Sequence, residues 1–158
     1  MAEELKIANG GKEEKYTLLH KQIAALVDGE GDIIANMANI SAMIHHTFGF
    51  WWTGFYRVQD EELILGPFQG PLACSRIKYG RGVCGTAWKE QCTQIVPDVE
   101  QYPGHIACSS ASKSEIVVPI FDAEGKVAAV LDIDSEHYNT FDTTDHLWLE
   151  KITALLKI

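Results

Sequence analysis

The chain has 158 residues, 46% of them apolar, which suffices for one compact domain with a real core. Its formal charge of −9 excludes a nucleic-acid or anionic-membrane partner, because binding phosphate needs a basic face. No apolar run approaches the ~20 residues of a bilayer span, and the N-terminal MAEELKIANGGKEEKY has acids where a signal peptide would be basic and then apolar. A cytosolic location is therefore expected. Thiols are kept reduced there, so the four cysteines point to redox, catalytic or metal chemistry before a structural disulfide framework.

In chain order, residues 1–13 are polar, contain Asn9-Gly10-Gly11 and read as a loose leader, with residues 14–158 forming a single domain. From Glu14 to Val27, Tyr16, Leu19, Ile23 and Leu26 share one helical face. After Asp28-Gly29-Glu30-Gly31, Asp32 is placed to cap a second helix with Ile33, Met37, Ile40 and Ile44 on its face, ended by Gly49. Trp51–Val58 and Glu62–Phe68 read as paired strands. An irregular stretch with Pro67, Gly70, Pro71 and Cys74 leads to the Gly80-Arg81-Gly82 loop, a short helix over Val83–Gln91 and a strand over Thr93–Val96. Pro97–Ser114 reads as a long loop, and loops of that length tend to be functional. Ser114–Phe121 and Lys126–Ser135 form a hairpin about Asp122-Ala123-Glu124-Gly125. Asp142, with Asp145 three positions on, caps a last helix with Trp148, Ile152 and Leu155 on its face. This order predicts an α+β domain: a central antiparallel sheet with helices on one face and a loop-covered cavity on the other.

The chemistry-bearing residues concentrate between Tyr79 and Phe121, with Cys74 just upstream. Cys108 follows Gly104-His105 in the polar loop and is the best candidate nucleophile. Cys92, between Gln91 and Thr93, fits plain packing. The spacing of Cys74, Cys84 and Cys108 matches no zinc knuckle, and a zinc site from these three with His105 is a minority option. Strand alternation puts Asp132 and Asp134 on one face near the end of the hairpin whose other strand opens with Glu115. Two such acids could hold a cationic ligand group, or one could keep a proton as a general acid. Trp52 and Tyr56 share a strand face with Gly54 between them, leaving a gap flanked by rings.

The segments WWTGFY, GRGVCGTA, QIVPDV, YPGHIAC, SASKSEIVVPI and VLDIDS, with the C-x9-C-x23-C spacing, resemble the free methionine-(R)-sulfoxide reductases, a family of stand-alone GAF domains. The resemblance implies a single GAF-like domain that reduces free methionine-(R)-sulfoxide to methionine, with thioredoxin as reductant and no metal or other cofactor. It places Cys108 at the nucleophile position and Cys84 and Cys74 at resolving positions, through a sulfenic acid and an intramolecular disulfide. Glu115, Asp132 and Asp134 match the acids around the substrate, and Trp52 and Tyr56 match the aromatic pocket. With the amphipathic N-terminal helices, it also implies a homodimer. The sequence departs from the family at Ser109, where an acid commonly follows the nucleophile, at Trp88, where a small residue is usual, and in the extra Cys92. The rival reading is a non-catalytic GAF-type sensor of a small ligand.

Overall fold

The computed structural model describes residues 4–105 and 110–158. Four helices, α1 (Lys12–Val27), α2 (Ile33–Phe48), α3 (Gly82–Glu90) and α4 (Thr143–Thr153), accompany six strands. These are β1 (Trp52–Gln59), β2 (Glu62–Gln69), β3 (Arg76–Lys78), β4 (Gln94–Val96), β5 (Ser114–Phe121) and β6 (Val127–Ser135). They form one sheet in the order β3-β2-β1-β6-β5-β4, and every neighbouring pair is antiparallel. The fold is the expected α+β architecture.

Local signals account for most boundaries. The Asp32 side chain accepts from Ala35 N at 2.9 Å, and Gly49, in the left-handed region at φ 67°, closes α2 by donating to His45 O. At α4 the Asp142 carboxylate accepts from the first turn while Asp145 accepts from Asp142 N, a complete capping box. Asp145 does more than cap. Fully buried, it also accepts from the Tyr16 hydroxyl and the Lys12 ammonium, each at 2.6 Å, and so ties α4 to α1. The segment before α1 is held as well, since Lys6 and Gln22 exchange two hydrogen bonds.

Strand alternation divides the core. Phe55 of β1, Ile116, Val118 and Ile120 of β5, and Leu131 and Ile133 of β6 point to one face. There they meet Tyr16, Leu19, Ile23, Met37, Ile40, Ile44, Leu149 and Ile152 from α1, α2 and α4. Trp52, Tyr56, Val117 and Val130 point the other way, against Val83, Cys84 and Ala87 of α3. The second face therefore carries a helix, contrary to the expectation of helices on one face alone. Gly85 lets α3 approach, because a Cβ there would lie 2.7 Å from Lys78 O.

Three further expectations shift. The stretch after Pro71 contains a short edge strand, β3, without apolar alternation, since Ile77 alone of its three residues is buried. Among the described residues of Pro97–Ser114, Val99–Gln101 form a 3-10 turn, which Asp98 caps. The most buried line of α4 runs through Asp145, Leu149 and Ile152, with Trp148 and Leu155 half-buried against the same core, because the capping acid itself sits in the core.

Candidate functional site

The site grows out of register at the middle of the sheet. Trp52 on β1 pairs with Asp134 on β6, which pairs with Glu115 on β5. One step along, Gly54 pairs with Asp132, which pairs with Val117. Period-two alternation turns Trp52, Tyr56, Asp132, Asp134 and Glu115 to the face that α3 covers. All five line one cavity with roughly 60 Å³ of free space, joined by Cys84, His105 and Ser112. Both strands bearing the acids lie inside the sheet, which fixes their backbones by ladders on two sides.

The aromatic wall depends on Gly54. A Cβ at this position would stand 2.3 Å from Phe68 Cβ and 2.7 Å from Trp52 Cη2, so only hydrogen lets the indole lie across the strand. The indole stacks on Phe68 and Tyr56, with ring centroids 5.2 and 6.0 Å away. Both polar tips on this wall are used. Trp52 Nε1 donates to Pro71 O at 3.1 Å, and the Tyr56 hydroxyl donates to Cys74 O at 2.8 Å. The segment Pro71–Cys74 is thereby pinned beside the acids.

The acids are expensive to keep charged. Glu115 and Asp132 are each 6% exposed, and burial is the main force raising the carboxyl pKa of Glu115, Asp132 and Asp134. Repulsion by Asp132 raises Glu115 and Asp134 further. Hydrogen bonds from Glu115 and Cys84 pull Asp132 back down, and the Ser112 hydroxyl, 3.0 Å from Asp134 Oδ1, does the same for Asp134. Of the three, Asp132 keeps its charge most readily, and Glu115 and Asp134 are pushed furthest toward the protonated form. His105 Nε2 stands 3.9 Å from Glu115 Oε1, too far for a hydrogen bond. Burial lowers the His105 pKa against the pull of the Asp132 charge, which disfavours an ion pair there.

The thiols differ sharply. Cys84, on the first turn of α3, is buried, and desolvation followed by the three carboxylates raises its pKa well above that of an ordinary thiol. It is a free thiol, as is the exposed Cys92, whereas Cys74 is disulfide-bonded. Cys108, the expected nucleophile, lies outside the described residues. The first turn of α3 also brings Arg81, Gly82 and Val83 to the cavity, where backbone N–H groups without intrahelical partners suit an anion.

Of the residues singled out in the sequence, Trp52, Tyr56, Cys84, Glu115, Asp132 and Asp134 meet in this cavity. Cys92 stands apart, exposed, with its sulfur against the Gln94 amide. Trp51, which the sequence offers as core or pocket wall, also lines the cavity, whereas Arg81 and Ser112 were not singled out. Alternation from Trp52 would have turned Trp51 to the opposite face, but Trp51 precedes the strand and escapes its pleat. Ser112 sat among four similar serines with nothing to mark it, and only its bond to Asp134 distinguishes it.

A sheet flanked by helices, with a small-ligand cavity cut into one face, defines a GAF-type domain, and the family model described as "GAF domain" matches residues 32–158. The chain is 55% identical to GAF domain-containing protein A of Dictyostelium discoideum over 99% of both chains. It is 46% identical to the free methionine-R-sulfoxide reductase of Saccharomyces cerevisiae, over 94% of this chain and 87% of that one. Among solved structures it superposes on a free methionine-R-sulfoxide reductase from Neisseria meningitidis in complex with its substrate, with a TM-score of 0.94 and 48% identity, covering 96% and 92% of the two chains. The chain belongs to the GAF domain family and, within it, to the free methionine-R-sulfoxide reductases.

Proposed function

We propose that the protein reduces free methionine-(R)-sulfoxide to methionine. The observation that carries this reading is the row of buried acids, Asp132, Asp134 and Glu115, set beside an aromatic wall in one cavity. Such a floor suits a ligand bearing an ammonium group, which would compensate the desolvated carboxylates. The unpartnered N–H groups of the first turn of α3 offer a place for the ligand's carboxylate, and Trp52 and Tyr56 would hold its methyl-sulfinyl end. A pocket that reads both termini of a free amino acid would exclude methionine sulfoxide within a protein.

In this mechanism the Cys108 thiolate attacks the sulfoxide sulfur. The S–O bond breaks as the oxygen receives a proton, because oxide is a poor leaving group. Glu115 and Asp134, whose pKa values burial raises, are suited to donate it, while Asp132 and the ionised partner face the ammonium. The released hydroxide then adds to the Cys108 sulfur as its bond to the substrate sulfur breaks, so that methionine leaves and Cys108 becomes a sulfenic acid. A second thiol then displaces water to form a disulfide, which thioredoxin reduces by exchange. That Cys74 is disulfide-bonded while Cys84 remains a free, buried thiol with a raised pKa supports Cys74 as the first resolving residue. Exposed apolar side chains such as Ile34 and Leu147 are consistent with a homodimer, and no described helix is long and apolar enough to cross a membrane.

The test is turnover of the separate R and S epimers of free methionine sulfoxide with a thioredoxin system. The R epimer should be consumed and the S epimer spared. Cys108→Ser should abolish methionine formation, whereas Cys74→Ser should keep one turnover per chain and lose recycling. Normal multiple turnover by Cys108→Ser would overturn the reading.

A further inference from the structure

We propose that the protein holds one zinc ion on Cys84, Asp132 and Glu115, with solvent as the fourth ligand. The thiol sulfur of Cys84 and one carboxylate oxygen each of Asp132 and Glu115 lie within 4.8 Å of one another, all buried. Donors around a tetrahedral zinc, at Zn–S ~2.3 Å and Zn–O ~2.0 Å, stand ~3.5 Å apart, so closure takes about 1 Å of side-chain rotation and no strand movement. His105 Nε2 is 3.9 Å from Glu115 Oε1 but stands outside the three-donor cluster, so solvent fills the fourth position, as it does at three-ligand zinc sites. One sulfur and two carboxylates make a borderline donor set that suits zinc better than calcium or magnesium, which favour oxygen alone.

A second observation points to a bound cation. Asp132 Oδ1 is buried and takes no backbone, hydroxyl or amide donor among the described residues, its side chain sharing protons only with the Glu115 carboxyl and the Cys84 thiol, the other two members of the cluster. Buried polar atoms left in this state are rare, and a carboxylate oxygen in such surroundings gains most from a cation. The site uses neither Cys74 nor Cys108, so it is available while Cys74 is disulfide-bonded and Cys84 is free. Binding displaces the Cys84 thiol proton to solvent, so apparent affinity rises with pH. The ion would occupy the acids that the proposed function assigns to the substrate ammonium and would inhibit reduction; that consequence alone rests on the reductase reading, and the binding itself does not.

The oxidised full-length protein is titrated with Co²⁺, whose thiolate bond gives a near-ultraviolet charge-transfer band, and Zn²⁺ is then added to displace it. The expected result is a band that saturates at one Co²⁺ per chain, disappears with Zn²⁺, survives Cys92→Ser and is lost in Cys84→Ser. Asp132→Asn, which keeps the thiol, should weaken Co²⁺ binding by at least about tenfold, the loss seen when even an outer-shell partner is removed. Circular dichroism establishes that each variant is folded, and the Asp132→Asn titration serves if Cys84→Ser is not. Absence of the band, its survival in Cys84→Ser, its loss in Cys92→Ser, or unchanged affinity in Asp132→Asn overturns the proposal.

Discussion

Replacing Gly54 by alanine tests the construction of the cavity more directly than replacing any residue that touches it. The added Cβ would sit 2.3 Å from Phe68 Cβ, and 2.7 and 2.9 Å from Trp52 Cη2 and Cζ3. Carbon atoms prefer ~3.5–4.0 Å, so the shortfall exceeds about 1 Å on the Phe68 side. Phe68 Cβ is fixed to β2, opposite Gly54 in the ladder, and cannot turn away as a chain end could. The indole can swing, but only by leaving its stack on Phe68 and its hydrogen bond to Pro71 O. Overpacking costs ~1–3 kcal/mol and the lost hydrogen bond about 1 kcal/mol, which gives about 3 kcal/mol in all. For a chain of this size that is a fall in Tm of roughly 6–12 °C. Displacing Trp52 should also raise KM for free methionine-(R)-sulfoxide and lower kcat/KM by at least about tenfold, the equivalent of 1.4 kcal/mol. Thermal unfolding by circular dichroism and steady-state kinetics read the two effects. Gly31→Ala, whose Cβ would meet nothing within 4 Å, is the control. A Gly54→Ala protein with the wild-type Tm and KM would refute the argument that this glycine makes room for the indole.

The buried acids lead to two pH effects of opposite sense. Because Glu115 holds its proton in the folded protein, its contribution to stability is complete below the unfolded carboxyl pKa of about 4.3 and is lost as pH rises through the raised folded value. Glu115→Gln should therefore gain stability over wild type as pH rises, measured by urea unfolding between pH 4.5 and 8; a constant difference across that range would contradict the cause assigned. A ligand ammonium favours the ionised acids, so binding of free methionine-(R)-sulfoxide should release protons and tighten as pH rises. Calorimetry in buffers of different ionisation enthalpy measures this, and proton uptake would count against the assignment of the ammonium site. Far from the cavity, Asp145→Ala strands the buried Tyr16 hydroxyl, opens the α4 capping box and takes one partner from the Lys12 ammonium, which keeps Thr140 O and Asp142; it should cost about 3 kcal/mol in chemical unfolding, with kcat unchanged at temperatures where the variant is folded. A loss below ~1 kcal/mol would mean that solvent repairs the gap.

What could be read in the sequence was whatever period and capping write down. The 3.6-residue faces of α1 and α2, the Asp32 and Asp142 caps and the alternation of β5 and β6 all matched the structure. Alternation likewise placed Asp132 with Asp134, and Trp52 with Tyr56, on common faces. It could not tell which face, and it could not give register across strands. That Asp134 stands between Trp52 and Glu115 follows from a hairpin pairing with Glu115 and a long-range pairing with Trp52. The short strand β3 lacked a pattern because an edge strand of three residues buries one side chain. The covering of the second sheet face by α3 turned on close backbone approach at Gly85, for which a sequence shows only a glycine. Cys108 carries the proposed chemistry through the family resemblance and through the composition of its loop, and it lies outside the described residues.

The strand order has a further consequence, for the way the protein comes together. β1, β2 and β3 form one meander and β4, β5 and β6 another, and the two halves of the sheet are joined along β1 and β6. Each meander closes locally, but Gly54 meets Asp132 only after the long intervening chain has looped back, a slow step for reasons of chain entropy. The cavity straddles this join. A newly made chain would carry Cys74 and Cys84 for some time before Asp132, Asp134 and Glu115 arrive beside them, and Cys84 would be an ordinary accessible thiol throughout. Pulse labelling of thiols during refolding should find Cys84 protected in the same kinetic phase as the amides of the β1–β6 ladder, and later than those of the β5–β6 hairpin. Maturation of the site would then coincide with the last long-range step of folding, and oxidants could reach Cys84 until that step is complete.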